Sequence, residues 1–336
     1  GVNYDGKYIR MGDYVDYQEK EKDILASRSY SADIIESAQK FALNRALLET
    51  DRATYQAMEA LIHNLNTMHS RAGAQTPFSS INYGLDTSLE GRMIIKNILL
   101  ATEAGLGSGE TAIFPIHCYR IKNGINYEKE DPNYDLFKLA CRVSAKRLFP
   151  NFSFIDAPYN LQYYKEGHPE TEVAYMGCRT RVMANVVDPE REITFGRGNL
   201  SFTSINLPRL AIRSKGDIEW FYDELDKKID LCIDQLLERF EIQASKKVYN
   251  YPFLMGQGVW IDSDKLERDS EVREVLKHGT LTVGFIGLAE CLKALIGSHH
   301  GESEEARNLG LDIVSHMRAR MDDAAKKYNL NFSLIA

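Results

Sequence analysis

The sequence predicts an α/β protein in which a mainly parallel sheet is covered by helices, and three observations lead there. Segments rich in β-branched and aromatic residues alternate with segments whose apolar residues recur every three or four positions. A length of 336 residues suits about two domains, or a single α/β barrel around one core. No internal repeat, low-complexity stretch or linker breaks the alternation.

From Ser31 to about Arg71, Ile34, Ile35, Ala38, Phe41, Leu48, Tyr55, Met58, Ile62 and Leu65 follow helical spacing, with an interruption expected near Thr50-Asp51. Phe78 to Tyr83 reads as a strand and Thr87 to Ala104 as a helix. Thr111 to Lys122 reads as a strand. Pro132 to Arg147 reads as a helix with proline in its first turn. Downstream, Phe202 to Leu207 is a strand that stops at Pro208, and Asp217 to Ser245 is a long helix. Thr280 to Phe285 is a strand, Leu288 to Ile296 and Glu304 to Lys327 are helices, and Phe332 to Ile335 is a last strand. Ile125 to Asp131 is a polar surface loop.

The charge balance is −7, with 41 Lys and Arg against 48 Asp and Glu, and no basic stripe tracks a phosphate backbone. Polymeric nucleic acid is therefore an unfavourable partner, whereas a single nucleotide stays compatible. No apolar run nears the roughly 18 residues of a membrane span, and Gly1-Val2-Asn3-Tyr4 lacks the charge and apolar core of a signal peptide. The expectation is a cytoplasmic protein without a membrane partner. Five widely spaced cysteines with no Cys-x-x-Cys pair fit free thiols better than a disulfide framework or zinc ribbon. Gly1 is no initiator methionine, and the last residues read as a strand without a closing turn, so both ends read as cut.

Cys178 stands out among the thiols. It lies in Tyr175-Met176-Gly177-Cys178-Arg179-Thr180, where Gly177 permits an unusual backbone angle and Arg179 and Arg181 favour a thiolate. Asn199 follows in Gly196-Arg197-Gly198-Asn199, a glycine-punctuated turn entering a strand. On the residues alone, a loop cysteine without a role and an asparagine that caps a turn remain open alternatives. Gly105-Leu106-Gly107-Ser108-Gly109-Glu110-Thr111 is glycine-rich, but it runs from helix into strand and has no lysine, which is the wrong order for a phosphate cradle. A mobile connection is the first reading of this loop and a nucleotide-sensing loop the second. Cys118, Cys141, Cys232 and Cys291 read as packed small hydrophobes. His299-His300 has no third ligand at a sensible spacing, so no metal site is expected.

Several longer motifs in order make the chain similar to the catalytic subunit of the anaerobic, class III ribonucleoside-triphosphate reductases, a family of glycyl-radical enzymes. They are the run from Ala60 to Gly84, Ile113-Phe114-Pro115, Asp131-Pro132-Asn133-Tyr134-Asp135, Met176-Gly177-Cys178-Arg179, Asn199-Leu200 leading to Asn206-Leu207-Pro208-Arg209, and Gly284-Phe285-Ile286-Gly287. The resemblance runs from roughly Ala42 to Ala336. It implies a portion of the ten-stranded α/β barrel of ribonucleotide reductases and glycyl-radical enzymes, with a loop entering its centre. Residues 1–336 would then form a single catalytic barrel domain, incomplete because the N-terminal cone, the strand bearing a partner cysteine and the zinc and glycyl-radical region have no counterpart here.

The resemblance also implies roles. The cysteine matching Cys178 becomes a thiyl radical and takes the 3′ hydrogen of the ribose. Asn199 matches an active-site amide, which suits formate better than a dithiol as reductant. Gly105, Gly107, Ser108, Gly109 and Glu110 occupy the place of a loop that links effector nucleotides to substrate choice. The implied cofactors are a glycyl radical on a segment absent from this chain, formate, nucleoside triphosphate effectors, and zinc only in the absent C-terminal region. The implied partners are a radical-SAM activase, ribonucleoside triphosphates and a second copy of the chain. The function implied is anaerobic reduction of ribonucleoside triphosphates to deoxyribonucleoside triphosphates, with this chain inactive alone. The alternative is a non-catalytic nucleotide-binding or dimerisation module derived from the same barrel.

Overall fold

The computed structural model describes residues 14–177 and 180–336. The described residues up to Gln162, with Tyr175 to Gly177, form one compact unit, while Tyr163–Ala174 and Thr180–Ala336 form the other.

The first unit opens with two helices, α1 (Tyr14–Ser27) and α2 (Ala32–Thr67). The expected interruption at Thr50-Asp51 does not occur, and α2 continues through it. The polar pair is accommodated from outside the helix: Lys96 ion-pairs with Asp51 at 2.7 Å, and Asn97 Nδ2 donates to the same carboxylate at 2.8 Å. Strand β1 (Ser80–Tyr83) follows, and then α3 (Leu89–Ala104), whose first turn is capped by Ser88 Oγ accepting from the Gly91 N–H at 3.0 Å. Next come β2 (Ile116–Ile121), α4 (Tyr134–Arg147), β3 (Asn151–Phe154), α5 (Pro158–Leu161) and the short β4 (Tyr175–Met176).

Two expectations in this unit need correction. Asn133 is the cap residue of α4, so Pro132 lies just outside the helix and not in its first turn. Cys141 is exposed, because Leu136, Ala140 and Val143 form the inward face of α4 and the next position points about 100° away. Strands β1, β2 and β3 pair in parallel in that order, with Ser80 opposite Ile116 and Cys118 opposite Asn151. Tyr119, Leu99 and Val143 are fully buried between this sheet and helices α3 and α4.

The second unit contains β5 (Thr180–Arg181), β6 (Asn199–Asn206), α6 (Leu207–Ser214), α7 (Ile218–Ala244), α8 (Arg273–Leu276), β7 (Thr280–Ile286), α9 (Leu288–Ile296), α10 (Glu304–Tyr328) and β8 (Asn331–Ile335). Strand β6 ends at Asn206, and Pro208 starts a helix where a mere stop was expected. Proline suits the first turn because its missing N–H would have no partner there. Helix α7 keeps the expected bounds, with Asp217 accepting from the Trp220 N–H at 3.0 Å. Its inward stripe of Phe221, Leu225, Ile229, Ile233, Leu236 and Phe240 packs into the core. Each such side chain contributes about 1.5–3 kcal/mol by leaving water.

Strands β6, β7 and β8 are parallel and begin level, since Asn199 pairs with Thr280 and Thr280 with Asn331. Parallel strands joined by covering helices make both units α/β, as the alternation predicts.

Candidate active site

Cys178 and Arg179 lie outside the described residues, and with them the expectation that the thiol stands near Asn199. The chain leading to Cys178 is described and is firmly held. Asn82, on β1, donates from Nδ2 to the Tyr175 carbonyl at 2.8 Å and accepts the Tyr175 N–H on Oδ1 at 2.9 Å. Two residues on, the Gly177 N–H donates to Ser80 Oγ at 3.0 Å, and the Cys118 thiol donates to the Gly177 carbonyl at 3.5 Å. Gly177 has a φ of 63°, and an added Cβ would come within 3.1 Å of the Phe78 ring. Glycine is therefore required immediately before Cys178 on both backbone and steric grounds.

Beside Cys118 on β2 stands His117, 2 % exposed, with Nδ1 3.1 Å from the Tyr83 hydroxyl and Nε2 3.4 Å from Thr102 Oγ1. Burial without a carboxylate partner pushes its pKa down to about 4, so the imidazole is neutral at neutral pH.

Asn199 is the first residue of β6 and is exposed, and its side-chain amide makes no hydrogen bond among the described residues. The backbone beneath it is fixed by Arg197, whose guanidinium is buried. Nε donates to the His278 carbonyl at 3.0 Å, Nη2 to that of Ala184 at 2.8 Å, and Nη1 to those of Ile193 at 3.0 Å and Met183 at 3.3 Å. The Thr280 N–H closes the turn onto the Gly198 carbonyl at 2.9 Å.

A second buried set lies alongside. Asn331 Nδ2 donates to Asn185 Oδ1 at 3.2 Å, its Oδ1 accepts the Val186 N–H at 2.8 Å, and Asn185 Nδ2 is 3.1 Å from His278 Nδ1. An amide NH2 can only donate, so Nδ1 of His278 is the acceptor and the neutral ring carries its proton on Nε2. Burial lowers the pKa of His278 as well. The starts of β6, β7 and β8 thus rest on a polar floor, of which the Asn199 side-chain amide is not part. Asn82, Arg197, Asn185 and Asn331 were not singled out from sequence. The one available hint for Arg197 was a cation between two glycines.

The loop from Gly105 to Glu110 does join a helix to a strand, and its base is closed. Gly105 caps α3 with a φ of 82°, and the Leu106 N–H donates to the Glu110 carbonyl at 2.8 Å. Gly107 and Ser108 are exposed at its tip, and Gly109 and Glu110, exposed as well, form its return to the base. His299, between α9 and α10, accepts the Gly301 N–H on Nδ1 at 3.0 Å and faces Glu302 at 3.2 Å. Among the described residues no group of three His, Cys, Asp or Glu side chains is arranged to hold a metal ion, and no helix is long and apolar enough to cross a membrane.

A family model described as anaerobic ribonucleoside-triphosphate reductase matches residues 6–336. The enzyme of that name from Escherichia coli K12 is 34 % identical over 304 residues, covering 89 % of this chain and 41 % of the relative. That of Enterobacteria phage T4 is 33 % identical over 311 residues, covering 89 % and 48 %. The chain therefore spans less than half the length of these curated relatives. Among solved structures, the anaerobic ribonucleotide reductase of Thermotoga maritima with glycerol in the active site aligns at a TM-score of 0.55 and 14 % identity, covering 84 % of this chain and 45 % of that one. The same enzyme with dATP bound in the specificity site also aligns at 0.55 and 14 %, covering 92 % and 48 %. At that identity the likeness is one of fold.

Proposed function

Because the chain belongs to the anaerobic ribonucleoside-triphosphate reductase family, we propose that it is part of one catalytic barrel domain whose full-length protein reduces ribonucleoside triphosphates to deoxyribonucleoside triphosphates. Cys178 is the proposed hydrogen-atom carrier. Its S–H bond is weak enough to exchange a hydrogen atom with carbon, so a thiyl on Cys178 takes the ribose 3′ hydrogen and the thiol later returns one. A glycyl radical, held on a segment outside this sequence and generated by a radical-SAM activase, would supply the initial hydrogen-atom acceptor. Formate is the proposed reductant. Asn199 would orient the ribose hydroxyls or formate through an amide that donates and accepts hydrogen bonds but takes no proton.

The observation that best supports this reading is the exposed amide of Asn199, without a hydrogen bond among the described residues and two positions along the chain from the buried Arg197 guanidinium. A polar group presented without an internal partner on so rigid a support is suited to a ligand. The loop from Gly105 to Glu110 is proposed as the link between effector and substrate choice, in analogy with relatives whose structures hold dATP in a specificity site or dATP together with CTP. A homodimer is proposed through α2. Ile34, Phe41 and Leu48 recur every seven residues on that helix and are 55 %, 72 % and 60 % exposed, a spacing that pairs one helix with another.

The test is turnover by the full-length protein after anaerobic activation. Cys178→Ala should abolish deoxynucleotide formation while the protein stays folded, and Asn199→Ala should lower kcat by about thirtyfold or more, about 2 kcal/mol in barrier for the loss of hydrogen bonds that strengthen in the transition state. Substantial turnover by the Cys178 variant would refute the reading.

A further inference from the structure

The geometry points to Arg147 as the residue that positions the Gly105–Glu110 loop, fixing its two ends so that only the tip responds to a nucleotide. This inference rests on the proposed effector role of the loop. Arg147 is the last residue of α4, and its guanidinium reaches across to the end of α3. Nε and Nη2 donate to the Glu103 carbonyl at 2.9 and 2.7 Å, and Nη2 also donates to the Ala104 carbonyl at 3.0 Å. These are carbonyls that the helix leaves without N–H partners, at the negative end of its dipole. On the other side of the same planar group, Nη1 donates to the Gly109 carbonyl at 2.7 Å and lies 3.4 Å from Thr111 Oγ1. One side chain therefore ties the start of the loop to its finish.

The packing at this point leaves no slack. A Cβ on Gly105 would lie 2.5 Å from the Glu110 carbonyl oxygen and 2.9 Å from Arg147 Nη2. Arg142, on the same helix, adds an ion pair to Glu103 at 2.7 Å. The tip is different. A Cβ on Gly107 would meet nothing within 4 Å, and among the described residues the Ser108 N–H is held by the flexible carboxylate of Glu110 at 2.9 Å, while the Gly109 N–H returns to the Leu106 carbonyl at 2.6 Å. A ligand that displaces the Glu110 carboxylate can turn the Ser108 peptide while the base stays shut. Lysine could not reproduce the arrangement, because an ammonium lacks the planar fork that serves two helix carbonyls and the loop at once.

The experiment uses the full-length protein and measures turnover of CTP against GTP with and without dATP as the effector probe, for wild type, Arg147→Lys, Arg147→Ala and Gly107→Val. Gly107→Val alters the tip where space is open. The expected result is that both Arg147 variants lose at least about fivefold of the dATP-dependent change in the CTP/GTP ratio, the lower end of ordinary coupling. Arg147→Lys should retain the thermal stability that Arg147→Ala loses. Hydrogen exchange at the Leu106 and Gly109 amides should speed up in both. An Arg147→Lys protein with wild-type dATP dependence, alongside a Gly107→Val protein whose dependence is altered, would overturn the role of Arg147 and leave the loop assignment standing. Wild-type dependence in all three variants would overturn the loop assignment, and the inference about Arg147 with it.

Discussion

The side chain of Asn82 and the backbone of Tyr175 bond to each other in both directions, at 2.8 and 2.9 Å, across 93 positions of sequence. The amide thereby imitates a neighbouring strand and sets the direction in which the chain approaches Cys178.

Replacing Asn82 tests whether that direction matters. Asn82→Ala removes both bonds and should cost about 1–3 kcal/mol of stability, with a larger proportional fall in kcat than in nucleotide affinity. Asn82→Asp keeps an acceptor for the Tyr175 N–H and loses the donor, so its kcat should fall between the two. Urea denaturation and steady-state kinetics on the full-length protein measure these effects. Wild-type kcat in Asn82→Ala would show that the anchoring of Tyr175 has no part in turnover.

His117 gives the fold an acid-sensitive point. Its pKa is near 4 when folded against an ordinary value of 6.5, so the unfolded chain binds a proton between these limits and the folded chain does not. Stability from this group is therefore intact above about pH 6.5, declines as the pH falls towards 4 and is fully lost below it, by about 3 kcal/mol. His117→Gln stays neutral and should remove that component. The check is denaturant unfolding at pH 7, 5.5 and 4.5, where the stability of the variant relative to wild type should rise as the pH falls. A difference independent of pH would contradict the assignment.

The apolar row on α2 makes a prediction about assembly. Phe41→Glu puts a charge at a position that is 72 % exposed in the single chain, so the fold of one copy should change by no more than about 0.5 kcal/mol. If the row pairs with a second copy, the same change should shift the full-length protein from dimer to monomer in sedimentation velocity. A Phe41→Glu dimer as tight as wild type would exclude this face.

Local signals made much of the fold readable. Helix α9 lies between Gly287 and Gly297, both with positive φ, and its bounds were legible from periodicity and glycine alone. Asp217 marked the start of α7 in the same way. Proline was the ambiguous sign. Pro208 read as the end of a strand when it opens α6, and Pro132 read as helix when it precedes the cap. Asp51 looked like a break because its partners, Lys96 and Asn97, are 45 and 46 positions away.

The same limit applies to the site. Cys178 and Asn199 drew notice through adjacent glycines, whereas Asn82 and Asn331 act through partners that only folding brings near. The α/β class was legible from the alternation of elements, and the family from the motifs, which the match over residues 6–336 bears out.

The grip of Arg197 has a consequence for how freely its surroundings can vary. All four of its acceptors are main-chain carbonyls, those of Met183, Ala184, Ile193 and His278. Every amino acid carries such an oxygen, so the side chains at these four positions can drift over evolutionary time without loosening the contact. The demand for one residue type then falls on position 197 itself, because only a planar, forked cation reaches four carbonyls at once.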